Sequence, residues 1–322
     1  MEQQRSGIPS FQAPGELPLH LVLATEAAAL ASARLLGKGD ADRVSEVAGD
    51  AMREALEASG SSGTVVLSPR HQTYLQHGAV MGRGERRIDL GLVPVEGASQ
   101  VARGAANAVS FMVAVEPGGF ATLPPIWHVQ KIVAGPAARG AIDLDDAVAD
   151  NLRRIAFALD ERVQDLTVAI LDRPRHQELI TEVAATGARI LILEEGDFAG
   201  AVMAAVPGSG VDAAIGIGDL HATLMAACAV RCLGGELQAR LWPRNDEERA
   251  VIGDQMSRTY GVADLAPAMD VAVAITGVTG GQLLPGVVFG SGYSETSSLL
   301  LSSRQASVRR MTTRHLVVGD PN

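Results

Sequence analysis

The feature that most limits the fold is an alternation of apolar runs and helical segments between residues 166 and 233. Residues 166–171, 188–193 and 211–217 are apolar, strand-like runs. Helical patterns lie between them at 175–186 and 197–205, and another begins at Leu220. Such alternation joins neighbouring strands by crossover helices, so this stretch predicts a layered α/β unit with a largely parallel sheet.

Upstream the pattern changes. A helix begins at Leu17 and stops near Gly37-Lys38-Gly39, and a second covers 42–58. Strand-like segments follow at 64–67, 87–95, 108–116 and 120–133, with a helical piece near 100–105 and a helix at 145–160. From Val271 onward strands return, broken at Gly280-Gly281 and Gly290-Ser291-Gly292. The division this predicts is a flexible leader over 1–16, an α+β portion over 17–160 completed by a β-rich tail over 270–322, and an α/β portion over 161–269. A chain of 322 residues is long enough for two lobes. Aromatic residues make up only 3%, so the core must come from Ala, Val, Leu and Ile.

Charge narrows the partners. A net charge of -10 repels phosphodiester backbones, which argues against nucleic acid. A small phosphorylated ligand is not excluded, because a few local Arg or Lys residues can outweigh the global sign. The apolar stretch 17–36 contains His20, Glu26 and Arg34, so it reads as an amphipathic helix and not a membrane span. No apolar run follows a basic patch at the start, so no signal peptide is expected. Cys228 and Cys232 lie four apart on an expected helix and read as small buried apolar residues, in keeping with a cytoplasmic location.

Three stretches carry possible chemistry. The Gly-x-Gly sequences at 37–39, 82–84 and 216–218 complete neither a dinucleotide fingerprint nor a Walker loop, and read as tight turns. Arg173-Pro174-Arg175-His176 sits between a strand and a helix, where it is either an anion site or a helix start with solvated arginines. Glu194-Glu195-Gly196-Asp197 ends the next strand. Its acids can accept from sugar hydroxyls, bind a cation or cap the following helix, and capping fits Asp197. Residues 242–248 read as a helix start capped by Asn245 or Asp246, without a catalytic role.

These pieces, in this order, resemble the class II fructose-1,6-bisphosphatases. The resemblance rests on Gly37-Lys-Gly-Asp40, Pro94-Val-Glu-Gly97, Lys131-Ile-Val-Ala-Gly-Pro136, Ile142-Asp-Leu144 and Leu171-Asp-Arg-Pro-Arg-His176. It continues through Glu195-Gly-Asp197, Gly216-Ile-Gly218, Gly234-Gly-Glu236, Arg240-Leu-Trp-Pro-Arg244 and Thr276-Gly-Val-Thr279. The resemblance implies an α/β fold layered α-β-α-β-α, inositol-monophosphatase-like, with mixed sheets. It further implies an oligomeric sugar phosphatase that acts on fructose 1,6-bisphosphate, and in some members on sedoheptulose 1,7-bisphosphate, with Mg or Mn. Hard divalent cations want clustered oxygen ligands.

Most of those ligands are missing. The family's metal-binding Asp after its Gly-Arg-Gly-Asp stretch corresponds to Ser45. Its acidic loop Gly-Glu-Gly-Glu-x-Asp-Glu corresponds to residues 68–74, which hold no acid. Its Asp-Pro-x-Glu-Gly-Thr reads Val93-Pro94-Val95-Glu96-Gly97-Ala98, so only Glu96 survives. Its Gly-Gly-Ala-Pro-Glu-Gly reads Gly218-Asp219-Leu220-His221-Ala222-Thr223. The sugar-phosphate end is kept in Lys131, Arg173, Arg175, Glu195 and Asp197, and the family's substrate-contacting Tyr corresponds to His128.

Three accounts follow from the losses. The site has decayed; or histidines, His128 and His221 among them, carry metal-free acid/base chemistry on a phosphosugar; or a zinc ion is held by His71, His128 and His221. The leading expectation is a sugar-phosphate-binding member with lost or altered phosphatase activity. The alternatives are an active phosphatase rebuilt around Glu96, and a non-catalytic sensor or partner of an active paralogue.

Overall fold

A computed structural model describes residues 16–69, 76–83 and 88–316. Two sheets organise them. The first is built from β1 (Ser62–Leu67), β2 (Val80–Gly82), β3 (Asp89–Glu96) and β4 (Val109–Val115). It is completed by β11 (Val271–Gly277), β12 (Val288–Gly290), β13 (Tyr293–Ser302) and β14 (Ser307–Leu316). Its order is β12-β13-β11-β4-β3-β1-β2, with β14 on the free side of β13. Only β1 and β3 run parallel.

The second sheet holds β5 (His128–Ala134), β6 (Thr167–Leu171), β7 (Arg189–Leu193), β8 (Ala213–Asp219), β9 (Glu236–Trp242) and β10 (Tyr260–Gly261). Its order is β10-β9-β5-β8-β6-β7. Parallel pairing is confined to β8-β6-β7, and β5 and β9 join antiparallel, so this sheet is mixed rather than largely parallel. The organisation also changes earlier than position 161. The strand at 128–134 and the helix α4 (Val148–Leu159) both belong with the second sheet. Sequence pattern could not reveal this, because β5 finds its partners at positions 213–219 and 236–242.

The layers follow from which face of each strand is apolar. Helices α1 (Glu16–Ala33) and α2 (Ala41–Ala58) cover one face of the first sheet through Leu21, Met52, Leu92 and Met112. Helices α6 (Asp197–Ala205) and α7 (Leu220–Leu233) lie between the sheets. Helices α4 and α5 (Gln177–Thr186) close the outer face of the second sheet through Leu152, Ile155, Ile170 and Val183. The result is α-β-α-β-α. In β5, Val129 and Val133 enter the middle layer while Ile132 and Ala134 enter the outer one, the period of two expected of a strand buried on both faces. Cys228 is buried in α7, and burial pushes its thiol well above the usual range. Among the described residues no helix is long and apolar enough to cross a membrane.

Candidate active site

The site lies where the two sheets approach, beyond the carboxyl ends of the parallel strands β6 and β7, the usual crevice of such sheets. An open cleft of about 460 Å³ is lined by Glu96, His128, Arg173, Arg175, Glu195, Asp197 and His221, among others. Seven of the eight site residues expected from sequence thus border one space. The eighth, Lys131, lines a small pocket behind it with His176 and Asp197.

Each side chain arrives by a local cause. Glu96 is turned into the middle layer by a bulge at the end of β3. The register with β4 slips by one residue between Val93 and Glu96, so that Glu96 and not Val95 opposes Val109. Its carboxylate then meets the start of α6. Phe198 N donates to Oε1 at 2.9 Å and Ala199 N donates to Oε2 at 3.0 Å. Glu96 therefore caps a helix some hundred residues away in sequence. It is half-buried, with its tip reaching the cleft, and burial raises its pKa to about 7, with Asp197 and Glu195 adding to the effect against the two N–H donors.

Asp197 does not cap its own helix, contrary to the sequence expectation. Gly196 takes the cap position with φ 104°, and the Asp197 side chain turns away. Its Oδ1 accepts from Lys131 Nζ at 2.5 Å and its Oδ2 accepts from Asp219 N at 2.9 Å. The Lys131–Asp197 pair is nearly dry, with side chains 5% and 15% exposed. Its room comes from Gly218. A Cβ there would lie 2.1 Å from Asp197 Oδ2 and 2.3 Å from Lys131 Nζ. Gly216 likewise leaves space for His176, whose Nε2 would be 3.0 Å from a Cβ. Gly216 and Gly218 thus lie inside β8, not in a tight turn, and serve as clearance for a buried ion pair and an imidazole. His176 itself bridges strands: Nδ1 sits 2.7 Å from Leu171 O, and Ile217 N donates to Nε2 at 2.8 Å. That pattern fixes a neutral ring with the proton on Nδ1, and burial lowers its pKa accordingly.

The arginines follow β6. Arg173 donates to Asp172 O and Glu194 O, both at 2.7 Å, and Arg175 donates to Ile217 O at 2.9 Å. Each uses backbone carbonyls as a brace, leaving further guanidinium N–H groups for a ligand. Burial, then Arg173, draws the Arg175 pKa down, as expected of two cations held together for an anion. Beside them Arg103 pairs with Glu194 and ties α3 (Ala98–Arg103) to the loop after β7. That contact was not foreseen, since its partners are 91 positions apart.

His128 opens β5 opposite Asp219 and Trp242, with the Trp242 ring edge-on at 6.0 Å. Burial, then Arg175 and Arg244, lowers its pKa, so it is neutral at pH 7. Its Nδ1 is buried with no hydrogen-bond partner among the described residues. His221 Nδ1 lies 3.1 Å from Ser68 O. His71 falls outside the described residues. Asn245 caps α8 (Asp246–Ile252) by accepting from Glu248 N at 2.8 Å, as its sequence suggests.

The donor set does not fit a hard divalent cation. Among the described residues no three His, Cys, Asp or Glu side chains group as a metal site. Three of the neighbouring acids, Glu96, Asp197 and Asp219, have other tasks. Glu96 caps α6 with both oxygens, Asp197 holds Lys131 and Asp219 N, and Asp219 Oδ1 caps α7 through Ala222 N at 2.8 Å.

The comparisons with known proteins agree with the fold. The family model described as bacterial fructose-1,6-bisphosphatase, glpX-encoded, matches residues 15–315. A fructose-1,6-bisphosphatase 1 class 2 of Escherichia coli is 32% identical over 321 residues, covering 93% of this chain and 95% of that protein. A fructose-1,6-bisphosphatase class 2 of Shigella flexneri matches to the same extent. The chain belongs to the bacterial class II fructose-1,6-bisphosphatase family, as a diverged member in which no metal-binding cluster forms among the described residues.

Proposed function

We propose that this chain binds a sugar phosphate in the cleft and has lost or altered the metal-dependent phosphatase reaction of its relatives. The observation that carries this reading is the contrast between the two ends of the site. Arg173 and Arg175 are braced on backbone carbonyls with donors to spare, and Glu195 stands beside them for ligand hydroxyls. Glu96, the one acid matching a family metal ligand, has both oxygens committed to backbone N–H groups. The phosphate would be held by charge-assisted, partly bidentate contacts to the two guanidinium groups, which need no cation.

The test is phosphate release from fructose 1,6-bisphosphate by folded protein, with Mg or Mn and with chelator, beside calorimetric binding of inorganic phosphate. No metal-dependent release is expected, and binding should survive chelator. Arg175→Ala is expected to weaken that binding by about 10- to 100-fold, the size of a lost charge-assisted hydrogen bond. Metal-dependent release abolished by Glu96→Ala would instead establish a working phosphatase with a rebuilt site.

A second reading draws on His128. A neutral imidazole beside two arginines in a phosphosugar cleft is suited to metal-free proton transfer. An activity that resists chelator and disappears in His128→Ala would select it.

A further inference from the structure

The cleft has two unlike walls. The wall supplied by the second sheet and the start of α6 is polar and carries Arg173, Arg175, Glu195 and Asp197. The facing wall, supplied by the first sheet, α3 and α7, is mainly apolar, with Val93, Ala98, Phe111, Ala222 and Met225, and also holds Ser68 and His221, whose Nδ1 lies 3.1 Å from Ser68 O. Phe111 is fully buried and stacks on Phe198 with ring centroids 3.6 Å apart, which makes the base of this wall rigid. Val93, Ala98 and Ala222 stand where the family pattern has Asp, Thr and Glu. The acid on that side is Glu96. Among the described lining residues it carries no Arg or Lys.

We propose that the cleft selects a phosphate monoester with one anionic end and an apolar opposite end, over a sugar bisphosphate. This deepens the sugar-phosphate reading above and rests on it. The phosphate takes Arg173 and Arg175, adjacent hydroxyls face Glu195, and an apolar substituent fills the space over Val93, with Phe111 and Met225 behind it. A second phosphate in that position loses its hydration to a wall whose described residues include no Arg or Lys and which presents the Glu96 carboxyl, a penalty. An apolar group there gains by leaving water. A volume of about 460 Å³ is in the range of small-molecule sites that combine an apolar lining with a few polar anchors.

The experiment is titration calorimetry in chelator with three probes: inorganic phosphate, fructose 1,6-bisphosphate and phenyl β-glucoside 6-phosphate. The aryl glucoside phosphate is expected to bind at least about tenfold more tightly than the bisphosphate. Ala222→Gln, which makes that wall polar without adding charge, is expected to erase that preference while changing inorganic phosphate affinity by less than about threefold. Ala98→Thr, a milder change at a partly exposed helix start, is expected to reduce it and guards against misfolding of the first variant. Equal or tighter binding of the bisphosphate overturns the proposal, as does a preference indifferent to both substitutions. If inorganic phosphate binds through Arg175 and no aryl preference appears, this inference alone falls. If inorganic phosphate does not bind at all, the sugar-phosphate reading falls and takes this one with it.

Discussion

Asp197→Asn is expected to lower the unfolding free energy by about 3–5 kcal/mol, the usual cost of removing one partner from a buried ion pair. Lys131 is 4% exposed and its ammonium has Asp197 Oδ1 as its carboxylate partner at 2.5 Å. Asn keeps an acceptor but not the charge, so the ammonium stays desolvated without its counterion. The same carboxylate also accepts from Asp219 N, which joins β8 to the start of α6. The double variant Lys131→Met/Asp197→Asn is expected to recover much of the loss, because no uncompensated charge remains. Urea unfolding of the two single variants and the double variant measures this directly. A cost below about 1 kcal/mol for Asp197→Asn, or strict additivity, would show that the pair is not energetically coupled as its geometry requires.

Glu96→Gln is expected to cost about 2 kcal/mol near pH 6. Gln accepts through one oxygen only, and its amide then points N–H groups at the second backbone donor, leaving Phe198 N or Ala199 N unsatisfied. The pH dependence has a definite sign. The folded pKa of Glu96 is raised to about 7 from an ordinary 4.5. The folded state therefore holds the proton more tightly than the unfolded chain. Its contribution to stability is fully present below about 4.5 and is lost as pH rises towards 7. Wild-type protein should lose about 2 kcal/mol relative to Glu96→Gln between pH 5 and 8, less than the full shift gives because water at the cleft mouth screens the charge. Thermal or urea melts across that range check it. Parallel pH profiles for the two proteins would contradict a proton-binding carboxyl at this position.

The alternation of residues 166–233 was legible because its elements pack close to one another in sequence: β6 pairs with β7 across the single helix α5, and with β8 one strand and two helices further on. What escaped was set by distant partners. Glu96 reads as a metal acid in sequence, and its role as a cap depends on a one-residue bulge and on a helix start at Asp197. Asp197 reads as a cap for the same helix, yet Lys131 from β5 claims it. The two carboxylates thus serve positions that local pattern assigns otherwise. Gly216 and Gly218 look like turn residues until the side chains they accommodate, His176 and Asp197, are located. Residues 70–75, which include His71, lie outside the described structure, so the zinc arrangement has no geometry to set beside the others.

The first sheet also constrains the order in which the chain can be finished. Strand β4 is buried along its whole length, and its second neighbour is β11, with Val109 opposite Gly277 and Val115 opposite Val271. More than 150 residues separate these partners, and the whole second sheet lies between them in sequence. During synthesis β4 therefore emerges with one flank bare and keeps it bare until β11 has been made. A long apolar strand with an open flank invites pairing with another chain. The second sheet, contained within residues 128–261, suffers no such delay. Nascent chains stopped short of residue 271 can complete that sheet but must leave the β4 flank unpaired, so premature termination favours aggregation over accumulation of a soluble fragment.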